Sequence, residues 1–354
     1  MYMTNDVSEN ALVERLVRSF PRSPLQCNRF QESDAELIRL PGTGIIIALT
    51  IDGIVEEIEA GLYADPYLIG WMMVVVNASD LAAVGAEPVG ILLNETLPRG
   101  AADEFIAKLQ QGVRDASSMC HLHILGGDTN FSSSVQMSAC AVGLVPSGLP
   151  VTRLGCKPGD LLFASGQLGL GNAYAFCQLA ANENWKQVSL PYQPLARLSE
   201  GQLLRSFASC CIDTSDGALA AVDQLMRLNH VGFVLESSLE ELLHPDALRL
   251  SQAAGIPGWM MLAGPHGEFE LLFTVPAERV ESFLAYSSMH AWEARKIGRV
   301  VDESGIWFFL DGERTAVDTG GIRNLFVEAD GSIDGYITGL LSLVRTCKQG
   351  RNKS

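Results

Sequence analysis

The stretch DPYLIGWMMVVVNASDLAAVGA, residues 65–86, sets the hardest condition on how this chain folds. It opens after Asp-Pro, an ordinary place for a helix to start, and carries apolar residues at helical spacing. It reads as a buried helix. Asn77, Ser79 and Asp80 are nevertheless set into it, and a helix interior of Ala, Val, Leu and Met has no structural use for them. A buried carboxylate without a partner is costly, and several close together cost more.

Three other places share this grammar. GIIIALTID (44–52) is a short β-branched run that reads as a buried strand and ends in Asp52. In HILGGDTN (123–130), Asp128 follows the pair Gly126-Gly127. Glycines there suit either close backbone approach to a ligand or a tight turn, and a strand followed by a polar turn is the plainer reading of that stretch alone. In IDTSDG (212–217), Asp213 and Asp216 flank Ser215 at a helix start, where a plain N-cap serves equally well. Shared divalent cations would remove the cost of such a cluster. Mg²⁺ takes oxygen ligands, keeps some water, and is held by one or two carboxylates plus substrate phosphates.

The organisation around these acids is layered. Residues 1–40 read as helix and loop, with Pro21 and Pro24 breaking the first helix. Strands are expected at 44–52, 89–98, 121–130 and 134–146, and helices at 65–86 and 103–120. The first 150 residues are therefore an α+β unit with a mixed sheet. The pattern restarts at KPGDLLFAS (157–165) and runs on through a strand end, polar turn and helix at 210–229 and strands at 230–236, 267–276 and 294–301, an α/β second domain covering 151–345. The glycines of GQLGLGNA (166–173) do not fit G-x-G-x-x-G, so no Rossmann site is read there. His121 and His123 read as sheet histidines on one strand face, Cys120 and Cys140 as small apolar fillers, and the basic tail CKQGRNKS (347–354) as a solvated terminus.

Charge and cysteine usage narrow the function. A net charge of −16 argues against nucleic acid as a partner, and any anionic ligand needs metal ions, backbone N–H groups or a few basic side chains to hold it. No P-loop and no protein-kinase motif is present. No stretch reaches membrane-spanning length uninterrupted, and the N-terminus has no apolar signal core, so no membrane partner is expected. Eight cysteines without C-x-x-C spacing read as reduced thiols in a cytoplasmic protein.

NASDLAAVGAEP, GGDTN, IDTSDGALA and GEFELLFTVP, in this order, resemble the thiamine-monophosphate kinases. More broadly they are similar to the superfamily of aminoimidazole-ribonucleotide (AIR) synthetase, selenophosphate synthetase and the hydrogenase-maturation dehydratase. The likeness covers about residues 30–325. It implies a two-domain AIR-synthetase-like fold, a homodimer whose first domains (1–150) share a barrel, and ATP bound through several Mg²⁺ ions, with a small-molecule substrate. Carried over residue by residue, the metal positions fall on Asp34, Thr50, Asp52, Asp80, Asp128, Asp213 and Asp216, with Asp128 and Asp216 at the catalytic centre. Gly126, Gly127, Arg153 and Ser215 fall on nucleotide positions, and Glu59, Glu268 and Arg323 on substrate-side positions.

The departures from the family are specific. Its G-D-D-A reads Glu32-Ser33-Asp34-Ala35, and Glu59 stands where a histidine follows the second metal motif. G-G-E-D-[YF]-E reads PHGEFE (265–270), with Gly267 in place of the first acid, and the final G-[FY]-[DE]-H reads GIRN (321–324). The ATP half is largely kept and three matched substrate positions are changed. That pattern implies an ATP-using kinase whose substrate is not thiamine monophosphate. A synthase that activates an amide oxygen, and a degenerate nucleotide-binding protein, are the alternatives.

Overall fold

A computed structural model describes residues 7–146, 149–180, 185, 190–310, 313–329 and 332–350. The first six residues and the last four of the basic tail lie outside them.

The helices are α1 (Ser8–Val17), α2 (Val55–Glu59), α3 (Pro66–Ala83), α4 (Asp103–Met119), α5 (Leu170–Leu179), α6 (Leu198–Leu204), α7 (Ala218–Asn229), α8 (Leu239–Leu242), α9 (Pro245–Ala254), α10 (Val280–Met289), α11 (Thr319–Glu328) and α12 (Ile333–Gly350). The strands are β1 (Glu36–Arg39), β2 (Ile46–Gly53), β3 (Glu87–Pro98), β4 (His123–Ser132), β5 (Gln136–Val145), β6 (Leu161–Ala164), β7 (Cys210–Asp213), β8 (Gly232–Leu235), β9 (Leu271–Val275), β10 (Arg295–Val301), β11 (Gly305–Leu310) and β12 (Glu313–Val317). They form two mixed sheets, one on each side of residue 150, in the orders β1-β2-β5-β3-β4 and β12-β11-β8-β10-β6-β9-β7. The β3–β4 and β8–β11 pairs are parallel and the rest antiparallel. This is the mixed α+β architecture expected of the chain.

Helix α3 is the keystone. Asp65 caps it, accepting from Tyr67 N at 3.2 Å, and Pro66 pre-sets its first turn. Among the described residues it is the one helix long and apolar enough to cross a membrane, yet 78% of it is buried within the protein. One side packs on the first sheet, where Ala48, Ala139 and Ala141 are small enough to let it lie close. The other side meets α4 through two glycines. A Cβ on Gly70 would sit 2.0 Å from Leu109 O, and one on Gly112 would sit 2.0 Å from Tyr67 O, so a side chain at either position would force the helices apart. The C-terminal end of α3 reaches the second sheet at β7.

The structure corrects four points of the sequence reading. Glu36–Arg39 form a strand paired with β2 within the region read as helix and loop. The strand at 267–276 begins only at Leu271, because residues 267–270 line two cavities instead, Gly267 and Phe269 the acid cleft and Glu268 and Glu270 a second one. His121 lies in a left-handed turn (φ 52°) ahead of β4, so it does not share a strand face with His123. The hairpin strands β11 and β12 escaped the sequence reading.

Candidate active site

Four elements deliver the acids to one cleft. Asp34 comes from the turn before β1, Thr50 and Asp52 from β2, Asp80 from α3 and Asp213 from the end of β7. One carboxylate oxygen each from Asp34, Asp80 and Asp213 lies within 4.8 Å of the others. The hydroxyls around them are aimed inward. Thr50 Oγ1 donates to Asp80 Oδ2, Ser79 Oγ donates to Asp213 Oδ2 at 2.6 Å, and Ser215 Oγ donates to Asp213 Oδ1 at 2.8 Å. Asn77 Oδ1 accepts the Asp52 backbone N–H at 3.2 Å, which ties β2 to α3. The polar residues of the helix NASD segment thus bind the two sheets together at the site.

The positive charge in this cluster is small. Arg153 Nη2 reaches Asp34 Oδ1 at 2.8 Å, leaving Asp34 Oδ2 buried without a partner. Burial and the neighbouring Asp52, Asp213 and Asp34 carboxylates hold the Asp80 pKa well above the usual carboxylate range. Asp213, 3% exposed, is pushed up to about 7 by burial and by Asp34. Burial likewise raises Asp52 and Asp216. Carboxylates that resist ionisation in each other's company, with an orphaned oxygen among them, make a hard all-oxygen donor set that a divalent cation fits.

The turn after β7 is not a cap. Gly217 occupies the N-cap of α7 with φ 84° and no side-chain cap bond, while Ser215 turns back on Asp213. Asp216 is left opening on the cleft. Beside it Arg323 of α11 bonds Asp223 Oδ2 at 3.2 Å and Asn10 Oδ1 at 3.4 Å, and comes within 3.9 Å of Glu9. Helix α1 therefore roofs the end of the cleft where Arg153, Ser215 and Asp216 converge. That role for α1 had no signal in the sequence.

Of the expected site residues, Asp34, Thr50, Asp52, Asp80, Arg153, Asp213, Ser215 and Asp216 are brought together. Asp128 is not. Asp52, Ala139, Leu93 and Gly127 lie in one row across the first sheet, so Gly127 sits three strand spacings, roughly 14 Å, from Asp52. Asp128 pairs with Asn94 on the opposite face, away from α3, and accepts from Asn130 at 2.8 Å. Gly126 (φ 148°) sits at a register shift, and a Cβ on Gly127 would lie 2.1 Å from Leu93 O, so both glycines have structural reasons within one chain.

Two substrate-side positions also fall elsewhere. Glu59 is exposed at the end of α2, and Glu57, two residues earlier, faces the cleft instead. Glu268 is buried and pushed up to about 8, chiefly by burial, and its Oε2 accepts from Gly169 N at 2.7 Å. It lines a separate cavity of about 990 Å³ with Arg197 and Glu270. The neighbouring His266, Gly267 and Phe269 line the acid cleft, with Phe269 in a left-handed conformation (φ 60°) uncommon for an aromatic residue. A Cβ on Gly267 would sit 1.4 Å from Thr214 O, so the family's acid has no room at this position.

Fold and site together define a two-sheet protein with an acid cleft between its halves. Residues 32–145 match the model of the AIR synthase related protein, N-terminal domain. Thiamine-monophosphate kinase from Halobacterium salinarum is 30% identical over 235 residues, spanning 66% of this chain and 78% of that one. The enzyme of the same name from Pyrococcus abyssi is 26% identical over 306 residues, spanning 86% and 92%. A solved structure of AaThiL complexed with AMPPCP and TMP superposes with a TM-score of 0.71 at 22% identity, covering 88% of this chain and 97% of that one, a likeness that concerns the fold. The chain belongs to the thiamine-monophosphate kinase family of AIR synthase related proteins.

Proposed function

We propose that this protein is an ATP- and Mg²⁺-dependent phosphotransferase acting on a small molecule other than thiamine monophosphate. The observation that carries this reading is the trio Asp34, Asp80 and Asp213, whose oxygens converge within 4.8 Å with an orphaned atom among them. Bound there, Mg²⁺ would neutralise these acids and the nucleotide's phosphates together. Arg153 and Ser215 flank the place where those phosphates would lie. In the transfer, the acceptor oxygen bonds to the γ-phosphorus and the bond to the β,γ-bridging oxygen breaks. ADP leaves with that electron pair, and the acceptor's proton passes to Asp216, the carboxylate open to the cleft.

The reading includes a homodimer. On the open face of the first sheet, Ile51, Cys140 and Leu92 form one row, with Ile51 73% exposed. Val142 and Leu144 share that half-covered face. A second copy would cover it, and Gly126, Gly127 and Asp128, on its edge, would meet nucleotide only in that assembly. The free thiols Cys27, Cys120, Cys140, Cys156, Cys177, Cys210 and Cys211 suit a reducing compartment such as the cytoplasm.

Calorimetric titration with ATP tests the core of this. Binding should require Mg²⁺, and equal affinity in EDTA would sink the metal-bridged reading. Light scattering at micromolar concentration should give the mass of two chains.

A further inference from the structure

Resting on the phosphotransferase reading above, we propose that the acceptor half of the cleft selects an alcohol bearing a cationic nitrogen and no phosphate, and that Glu57 is the specificity-determining residue. The cleft below Arg153 encloses about 350 Å³. Five of its lining residues are acids: Asp34, Asp52, Glu57, Asp80 and Asp216. Its one arginine, Arg153, is already bonded to Asp34. Asp34, Asp52 and Asp80 belong to the metal and nucleotide and Asp216 takes the proton of the reacting hydroxyl, which leaves Glu57 as the charge that the rest of an acceptor meets.

Ile54, Tyr63, Val76 and Phe269 give the same cleft an apolar part. The Glu57 carbonyl accepts Leu62 N at 2.8 Å and Tyr63 N at 3.3 Å, so one tight loop carries both Glu57 and Tyr63 to the cleft. Tyr63 stacks on Tyr192 at 6.5 Å, and Tyr192 donates its hydroxyl to Gly267 O at 2.7 Å. Phe269 adds a second aromatic side chain. His266 offers no positive charge in compensation, since burial keeps its ring neutral. Gly267 cannot be exchanged for a larger residue that would add one. A phosphate ester entering here meets Glu57 as a like charge and finds no free cation among the described residues that line the cleft. An ammonium group meets Glu57 as its counter-ion and the aromatic rings as favourable neighbours.

The test is a thermal-shift panel on the Mg²⁺–AMPPCP complex of the full chain. It uses alcohols in matched sets: amine-bearing, N-acetylated and O-phosphorylated, with thiamine and its monophosphate included. The amine-bearing members should give the largest shifts, and Glu57→Gln should weaken their binding about tenfold or more while leaving the N-acetylated members unchanged. A phosphate ester that outranks its amine-bearing parent would overturn the proposal. So would an unchanged ranking in Glu57→Gln, or a panel in which no amine-bearing member shifts. The shift produced by Mg²⁺–AMPPCP alone is read on the same samples. Its absence would reject the nucleotide reading itself, a result distinct from a failed acceptor preference.

Discussion

Two buried acids in this molecule have opposite surroundings. Asp223 on α7 is surrounded by donors: Thr319 Oγ1 at 2.6 Å, Arg227 Nε at 2.7 Å and Arg323 Nη1 at 3.2 Å. Asp80 on α3 has Thr50 as its hydroxyl donor and three other aspartates as its charged neighbours. Both are buried. The first is a finished structural knot, in which every charge has been answered by the chain itself. The second is answered only when something positive arrives from outside. The contrast separates an acid that holds the fold from an acid that costs the fold, and the second kind marks the site.

The largest effects come from exchanging one residue of each kind. Asp80→Asn should lower kcat/KM by more than about 10³-fold, since it removes a metal ligand at the reacting phosphates. In EDTA the same variant should melt no lower than the parent, because it relieves carboxylate repulsion. Asp223→Ala should do the reverse. It removes the buried carboxylate that Thr319, Arg227 and Arg323 share and should cost on the order of 3–5 kcal/mol of stability, with activity per folded molecule retained. Turnover and chemical denaturation of the two variants, side by side, check this. If Asp80→Asn were the less stable of the two in EDTA, the distinction would collapse.

The next effect is the pH dependence of the empty cluster. Asp80 and Asp213 have pKa values raised in the fold, Asp213 from 3.8 to about 7. Between those values the folded chain holds more protons than the unfolded one, so stability falls as pH rises through that window. Melting in EDTA should therefore drop by roughly 3–6 °C between pH 5 and pH 8. Excess Mg²⁺ should flatten or invert the slope, because it binds the ionised form in the folded state alone. A slope unchanged by Mg²⁺ would mean that the trio does not take the ion.

A smaller effect tests the structural side. Arg323 joins Asp223 to Asn10 and Glu9, so Arg323→Ala should free α1 more than it weakens the whole. Amide exchange across Ser8–Val17 should quicken, with a global loss of about 1–2 kcal/mol. Uniform loss of protection would show that α1 is no separable roof.

The layers were legible where the pattern was strong. The long apolar helix, the β-branched run ending in Asp52 and the amphipathic α4 all stand within a few residues of their sequence expectation. Asp80 was legible for a physical reason: a polar residue in an apolar helix conflicts with its surroundings unless it has work to do. What escaped notice was set by distant contacts. Glu57 faces the cleft instead of Glu59 because α2 and the loop after it decide which side of a short helix looks inward, and spacing against a family motif cannot show that. Gly126-Gly127 has the composition of a phosphate cradle, and the Leu93 carbonyl across the strand pair independently demands glycine at Gly127. The β11–β12 hairpin did carry a signal in the Asp-Gly between two strand-like runs, a turn dipeptide that the sequence reading passed over. Helix α1 as a roof had none, since its attachment is a handful of polar contacts to residues more than 200 positions away.

The finest test of the comparison adds an acid where the family has one. Ser33 precedes Asp34, is 8% exposed, and its hydroxyl has no partner among the described residues. It is a polar position on the unanswered side of the molecule, already short of a donor or an ion. Ser33→Asp puts a further carboxylate next to a group that already repels its neighbours. Without metal the variant should be destabilised by about 1–2 kcal/mol, since one more charge must be buried or protonated. With Mg²⁺ the sign should invert: the extra oxygen ligand should lower the Mg²⁺ concentration for half-maximal ATP binding by about three- to tenfold, some 0.7–1.4 kcal/mol. Calorimetry of ATP binding across a Mg²⁺ series reads the second effect, and denaturation in EDTA reads the first. The two signs must be opposite. A variant weakened in both conditions would place Ser33 with Asp223, as a residue of the packed fold, and the metal-binding side would then end at Asp34.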